Sequence, residues 1–158
     1  MWRANHRTRQ LCNNVSQQCL HASNNLLTTL KLVATTDVNE RINSTGTSIR
    51  DGMNQVIGEL GLNWVVYGKF SEFHIFVNPE NAEVTVDDIY SEKPPEGLKK
   101  GGTPAATLRQ IRTRFLAHGV DIVPWPGGMT STAHSEADVD RTLTAFKQMA
   151  TEVAPVLA

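Results

Sequence analysis

One feature constrains this chain more than any other: the period of its apolar residues changes near residue 62. Upstream, "NNLLTTLKLV" places Leu26, Leu27, Leu30 and Val33 on one helical face, with Asn24 or Asn25 positioned to cap the start. "DVNERINSTGTSIRDGMNQVIGELG" continues with Val38, Ile42, Ile49, Met53, Val56, Ile57 and Leu60 at spacings of three, four and seven. That spacing predicts a second amphipathic helix, ended by Gly61. Gly46 and Gly52 each weaken it by about 1 kcal/mol relative to Ala. Downstream, "NWVVYGKF" and "EFHIFVNP" alternate and are rich in β-branched and aromatic residues. Phe73, Ile75 and Val77 share one face; Glu72, His74 and Phe76 share the other. Gly68 suits the connection, so an antiparallel hairpin is expected.

Residues 78–103 are polar and rich in Pro and Gly, and read as a long surface loop. "TPAATLRQIRTRFLAHG" is a helix, with Thr103 as cap, Pro104 in the first turn and Gly119 as stop. Its expected buried stripe is Leu108, Ile111, Phe115 and Leu116. "VDIVPW" and "MTSTA" read as short strands. The last helix, "SEADVDRTLTAFKQMATEVA", has Val139, Leu143, Phe146, Met149 and Val153 on its apolar face. The order α-α-β-β-α-β-β-α predicts an α+β fold: a small antiparallel sheet with helices packed on one face. Residues 1–23 are expected to be a poorly structured basic leader, and 24–158 one domain.

Composition excludes several classes. The 15 basic and 16 acidic residues leave a net charge of −1, which points away from nucleic acid and anionic membranes. No apolar run has the length of a membrane span. Cys12 and Cys19 lack the spacing and the histidines of a zinc site, and they fit a reducing compartment. The expected location is cytoplasmic. Residues 1–36 carry Arg3, Arg7, Arg9 and Lys31 but no acid, so an organellar presequence, mitochondrial or plastid, is the alternative.

The densest chemistry is Ser131, His134, Ser135, Glu136 and Asp138, all within eight residues. Ser135 sits just before a periodic helix, with Asp138 in the slot of a capping-box acid and Glu136 in the first turn. Helix geometry accounts for these three. A Ser-His-acid site also needs an oriented base, which closeness in sequence does not supply. His134 and His74 read as structural residues, and no pair of histidines has a metal-ligand spacing. "LKKGGTP" is not a phosphate loop, because its lysines precede its glycines. Lys99 and Lys100 read as solvated charges, not as a Schiff-base lysine. Gly127 and Gly128 in "PWPGGM" make either a turn or a close approach to a ligand.

With these residues in place, "TLKLVATTDVNERINSTGTSIRDGMNQVIGELGLNWVVYGKFSEFHIFVNP" resembles the start of the C-terminal small domain of class III aminotransferases, which depend on pyridoxal 5'-phosphate (PLP). The glutamate-1-semialdehyde 2,1-aminomutase-like branch is the nearest. "LRQIRTRFLAHGVDIVPWPGGMTSTAHSEADVDRTLTAF" is similar to the end of that domain, and "AHSEADVDRTLTAF" is its most specific part. The family's large domain supplies the aldimine lysine, the aspartate facing the pyridine nitrogen and the phosphate cradle. No position here matches them, and "NNVSQQCLHASNN" does not keep the family's Gly-Thr-x-x-x-Asn-Pro segment. The acid that aminomutases often carry near "PWPGGM" is also missing, which favours a transaminase-like relative.

The resemblance therefore implies a partial transaminase or aminomutase, without the large cofactor-binding domain and inactive alone. No catalytic or cofactor-binding residue carries over. Gly127, Gly128, Met129 and Ser131 align with the family's active-site rim and are the expected substrate-proximal residues. PLP is the implied cofactor, not held by this chain alone. The implied partners are an amino acid or amine substrate and either a second copy or a large domain. The alternative is a free-standing α+β interaction module that pairs with itself or with a full-length relative.

Overall fold

A computed structural model describes residues 25–99 and 103–157. The expected leader and residues 100–102, including Lys100, lie outside the described residues. The chain separates into two compact units, one ending at Asn39 and one starting at Glu40. In the first, residues 25–35 form helix α1, where the sequence places one. Its apolar residues are exposed, Leu26 and Leu30 by more than half.

Helix α2 spans Val38–Leu60 and buries Ile49, Met53, Val56 and Ile57, the residues its period selects. It ends where Gly61 takes φ 63° and Leu62 N–H reaches back to Ile57 C=O at 3.0 Å. The sheet that follows contains β1 (Val65–Tyr67), β2 (Glu72–Phe76) and β3 (Gly127–Met129), in the order β1-β2-β3 and antiparallel throughout. In register, Val66 faces Ile75 and Phe73 faces Gly128.

A row of contacts one helical turn apart fixes α2 to the sheet. Thr130 Oγ1 donates to Ile42 C=O at 2.7 Å. Gly46 lies so close to the hairpin turn that a Cβ there would stand 2.6 Å from Phe70 O. Arg50 Nη1 donates to the carbonyls of Phe70 at 2.8 Å and Glu72 at 2.6 Å. Asn54 donates to Val66 C=O at 2.8 Å and accepts from Val66 N–H at 2.9 Å, as a neighbouring strand would. The outer edge of β1 is satisfied there without another strand. Gly46 is therefore a requirement of packing, whatever it costs the helix.

Helices α5 (Ala105–Ala117) and α6 (Glu136–Leu157) complete the main core. Phe115 and Phe146 are fully buried, their ring centroids 6.1 Å apart, together with Met53, Ile111, Met149 and Ala150. Val66, Phe73, Ile75 and Val77 bring one face of the sheet into this core. Val65 and Phe76, on the other face, pack with Ile89. This is the expected α+β arrangement, with the long helices on one face.

Four local expectations are corrected. Residues 78–103 contain two short helices, α3 (Val86–Ile89) and α4 (Glu96–Lys99). The first opens with a capping box between Thr85 and Asp88, and burial of Ile89 against the sheet anchors it. Pro104, not Thr103, is the N-cap of α5 and makes no side-chain cap bond; Thr103 is buried. The buried stripe of α5 is Thr107, Ile111 and Phe115, while Leu116 is 58% exposed, because α5 meets α6 through one narrow face. "VDIVPW" contributes only a single bridge, Val123 to Gly127, and the third strand lies at Gly127–Met129, sharing only Met129 with "MTSTA". Thr130 ends that strand by turning its hydroxyl to Ile42 and Ser71.

Replacing Phe146 by Ala removes a fully buried ring and should lower the unfolding free energy by about 3–5 kcal/mol, measured by urea denaturation. Gly46→Ala should also destabilise. The propensity gain of about 1 kcal/mol is outweighed by displacement of the Phe70 carbonyl from the Arg50 clamp.

Candidate functional site

The rim expected to lie near substrate runs from β3 to the start of α6. Gly127 is buried against β2, where a Cβ would collide with the Phe73 carbonyl and stand 3.1 Å from His74 Nδ1. At Gly128 a Cβ would meet the Phe73 ring at 2.8 Å. Both glycines are thus explained by close approach of strands. Met129 faces Glu72 in register and is 71% exposed. Thr130 N–H donates to Ser71 C=O at 2.9 Å, which ties the rim to the hairpin turn.

Ser131 and His134 do come together. His134 Nδ1 accepts the Ser131 N–H at 2.9 Å and lies 3.0 Å from Ser131 Oγ. A ring nitrogen that accepts a backbone N–H is not free to act as a base, and both residues are exposed to water. Ser135 and Asp138 form the expected capping box: the Ser135 N–H and hydroxyl donate to Asp138 Oδ2 at 2.8 and 2.7 Å, and Asp138 N–H returns to Ser135 Oγ at 3.4 Å. The carboxylate is therefore committed to the cap, not to His134. The Ser135 side-chain bond, reinforced by its backbone bond, holds the Asp138 carboxyl below the usual carboxylate range.

On the outer face of the sheet, His74 stacks at 5.2 Å on Tyr67, and its Nε2 lies 3.8 Å from Glu72. His74 Nδ1 is buried without a hydrogen-bond partner. Burial, then the neighbouring Tyr90, raises the Tyr67 phenol above its ordinary value. His74 is half-buried packing, as the sequence predicts. No group of three or more His, Cys, Asp or Glu suited to a metal occurs among the described residues. No helix among them is long and apolar enough to cross a membrane.

Sequence reasoning overlooked two residues. Trp125, 58% exposed, stands between Pro124 and Pro126 at the edge of β3; its place in a "PWP" turn was the available signal. Phe70, 71% exposed, adopts φ 54° in the hairpin turn. No sequence signal marks Phe70, since bulky residues rarely enter that region.

No family model matches the chain. A curated glutamate-1-semialdehyde 2,1-aminomutase from Methanosarcina acetivorans is 31% identical over 116 residues, covering 70% of this chain and 23% of that protein. Among solved structures, a transaminase with PLP bound superposes with a TM-score of 0.57 at 25% identity, covering 78% of this chain and 25% of that one. The chain is similar to part of a class III aminotransferase. An omega-transaminase from Sphaerobacter thermophilus (TM-score 0.55, 21% identity, 73% of this chain and 24% of that one) shares the fold. So does the PLP internal aldimine form of the FumI protein of Sphingopyxis sp. MTA144 (TM-score 0.58, 20% identity, 82% and 28%). This aminotransferase-like chain spans about a quarter of the length of the relatives it matches.

The cap of α6 yields a pH prediction. Asp138 has a folded pKa below its unfolded one, so its contribution is present in full above the unfolded value and disappears as pH falls through the folded value. Asp138→Asn and Ser135→Ala should each lower the thermal midpoint at neutral pH. Each should also flatten its acid limb, as read by circular dichroism between neutral pH and about pH 2.

Proposed function

We propose that this chain acts as the C-terminal small domain of a PLP-dependent class III transaminase or aminomutase, supplying the rim of a substrate site. The similarity to an aminomutase over 70% of the chain carries this reading, together with the matching fold of PLP-bound transaminases. In it, Gly127, Gly128, Met129 and Ser131 stand beside an amino acid or amine substrate. Pairing with β2 fixes the backbone of the first three, and His134 holds Ser131.

The lysines whose side chains are described do not fit the cofactor. PLP chemistry needs a lysine removed from water. Lys31, Lys69, Lys93 and Lys147 are all exposed; Lys147 pairs with Glu59 at 2.8 Å, and Lys69 lies over the Tyr90 ring at 4.9 Å. In this reading the reactive lysine belongs to a large cofactor-binding domain, as the resemblance implies, and the chain alone is inactive. Incubation with PLP, borohydride reduction and peptide mapping should yield only scattered, substoichiometric lysine adducts. One lysine labelled stoichiometrically would overturn the reading.

A second reading has its own support. Phe70 and Met129 are each 71% exposed and Trp125 is 58% exposed, apolar surface that suits an interaction module. In this reading the chain pairs with itself or with a full-length relative. Sedimentation equilibrium should then show a mass that rises with concentration and returns to the monomer value in Trp125→Ala.

A further inference from the structure

A cleft of about 550 Å³ lies where the chain leaves α2 and β2, beside the start of α5 and the end of α6. Leu62, Val77, Pro104 and Val156 give it apolar walls, and no charged side chain lines it. An ion entering it would lose water without gaining a partner of opposite charge. None of Gly127, Gly128, Met129 and Ser131 borders it, so it lies apart from the rim.

Three polar groups in its lining lack partners. Trp64, Asn78 and Thr107 are 8%, 5% and 8% exposed. Asn78 Nδ2 donates to the carbonyls of Asn63 at 2.8 Å and Ala82 at 2.6 Å, which uses both N–H bonds and fixes the orientation of the amide. Its Oδ1 accepts nothing among the described residues. Thr45, Thr142, Thr144 and Thr151 turn their hydroxyls onto the carbonyl four residues back, at 2.7–3.0 Å. Thr107 also sits in a helix, yet its hydroxyl makes no such bond and no other among the described residues. The Trp64 indole N–H has no acceptor there either, although buried indoles usually find one. These atoms are not sealed in: among the described residues, His74 Nδ1 is the one enclosed side-chain polar atom without a partner. The open space that all three residues share is the cleft.

One donor, one acceptor and one hydroxyl in an uncharged, apolar setting select a neutral group that both accepts and donates. We propose that this cleft binds a primary carboxamide carried on an apolar body. The ligand carbonyl accepts from the Trp64 N–H and the Thr107 hydroxyl, and its N–H donates to Asn78 Oδ1. Leu62, Val77 and Pro104 cover the apolar body, as in most small-molecule sites. The site uses no cofactor and does not rest on the transaminase reading.

The test is titration of the full chain with benzamide, followed by NMR of the Trp64 indole and of the backbone amides. Saturable shifts are expected at the indole N–H, at residues 61–64 and 77–82, and at Thr107. Toluene keeps the ring but lacks the amide, and benzoate carries a charge in its place. Each should bind about tenfold more weakly than benzamide. Thr107→Val and Trp64→Phe should each weaken benzamide binding by a similar factor and leave toluene binding unchanged. The Thr107 hydroxyl bonds to nothing among the described residues, so Thr107→Val should keep the parent spectrum elsewhere. It stays readable even if Trp64→Phe disturbs the core that Trp64 joins. No saturable shift at the cleft would overturn the proposal. So would toluene or benzoate binding as tightly as benzamide, or benzamide binding indifferent to both substitutions.

Discussion

The structure depends on the row of contacts by which α2 holds the hairpin. Ile42, Gly46, Arg50 and Asn54 follow one another at four-residue steps, so all four fall on one side of the helix. The Ile42 carbonyl accepts from the Thr130 hydroxyl, Gly46 and Arg50 both meet the Phe70 carbonyl, Arg50 also reaches the Glu72 carbonyl, and Asn54 takes both polar groups of Val66. Helix–sheet layers are commonly joined by apolar packing alone, which tolerates sliding. Here hydrogen bonds of fixed direction determine where the hairpin lies along the helix, and a buried backbone group left without its partner costs about 1–3 kcal/mol.

That clamp also explains Phe70. A bulky residue at φ 54° costs roughly 1–2 kcal/mol and persists only where its surroundings fix it. Arg50 grips the carbonyls on either side of Ser71, and Gly46 leaves room for the chain to turn there. Ser71 in turn receives Thr130, so the same turn sets the start of the rim that runs through Ser131 to the cap of α6. Rim and helix start thus inherit their positions from α2, more than 80 residues earlier in the chain.

The rim illustrates how a dense set of reactive residue types becomes scaffold. Ser131, His134, Ser135 and Asp138 are all hydrogen-bonded, but to one another and to local backbone. The energy of those bonds orders the chain where it passes from strand to helix. A catalytic set would instead leave one donor or acceptor directed at a substrate.

The sequence by itself determined the elements whose cause is local. Period alone placed α2, the hairpin and α6. Ser135 with Asp138 fixed the start of α6, and Gly61 and Gly119 fixed the ends of α2 and α5, because caps and stops act within one helical turn. The phrase "AHSEADVDRTLTAF" was specific enough to point to the aminotransferase small domain. Tertiary structure alone decided which face of α5 is buried, where the third strand begins, and that Ile89 of the helix started by Thr85 and Asp88 packs against the sheet. These outcomes rest on contacts between residues distant in sequence, and neither spacing nor propensity encodes which distant partner a side chain will meet.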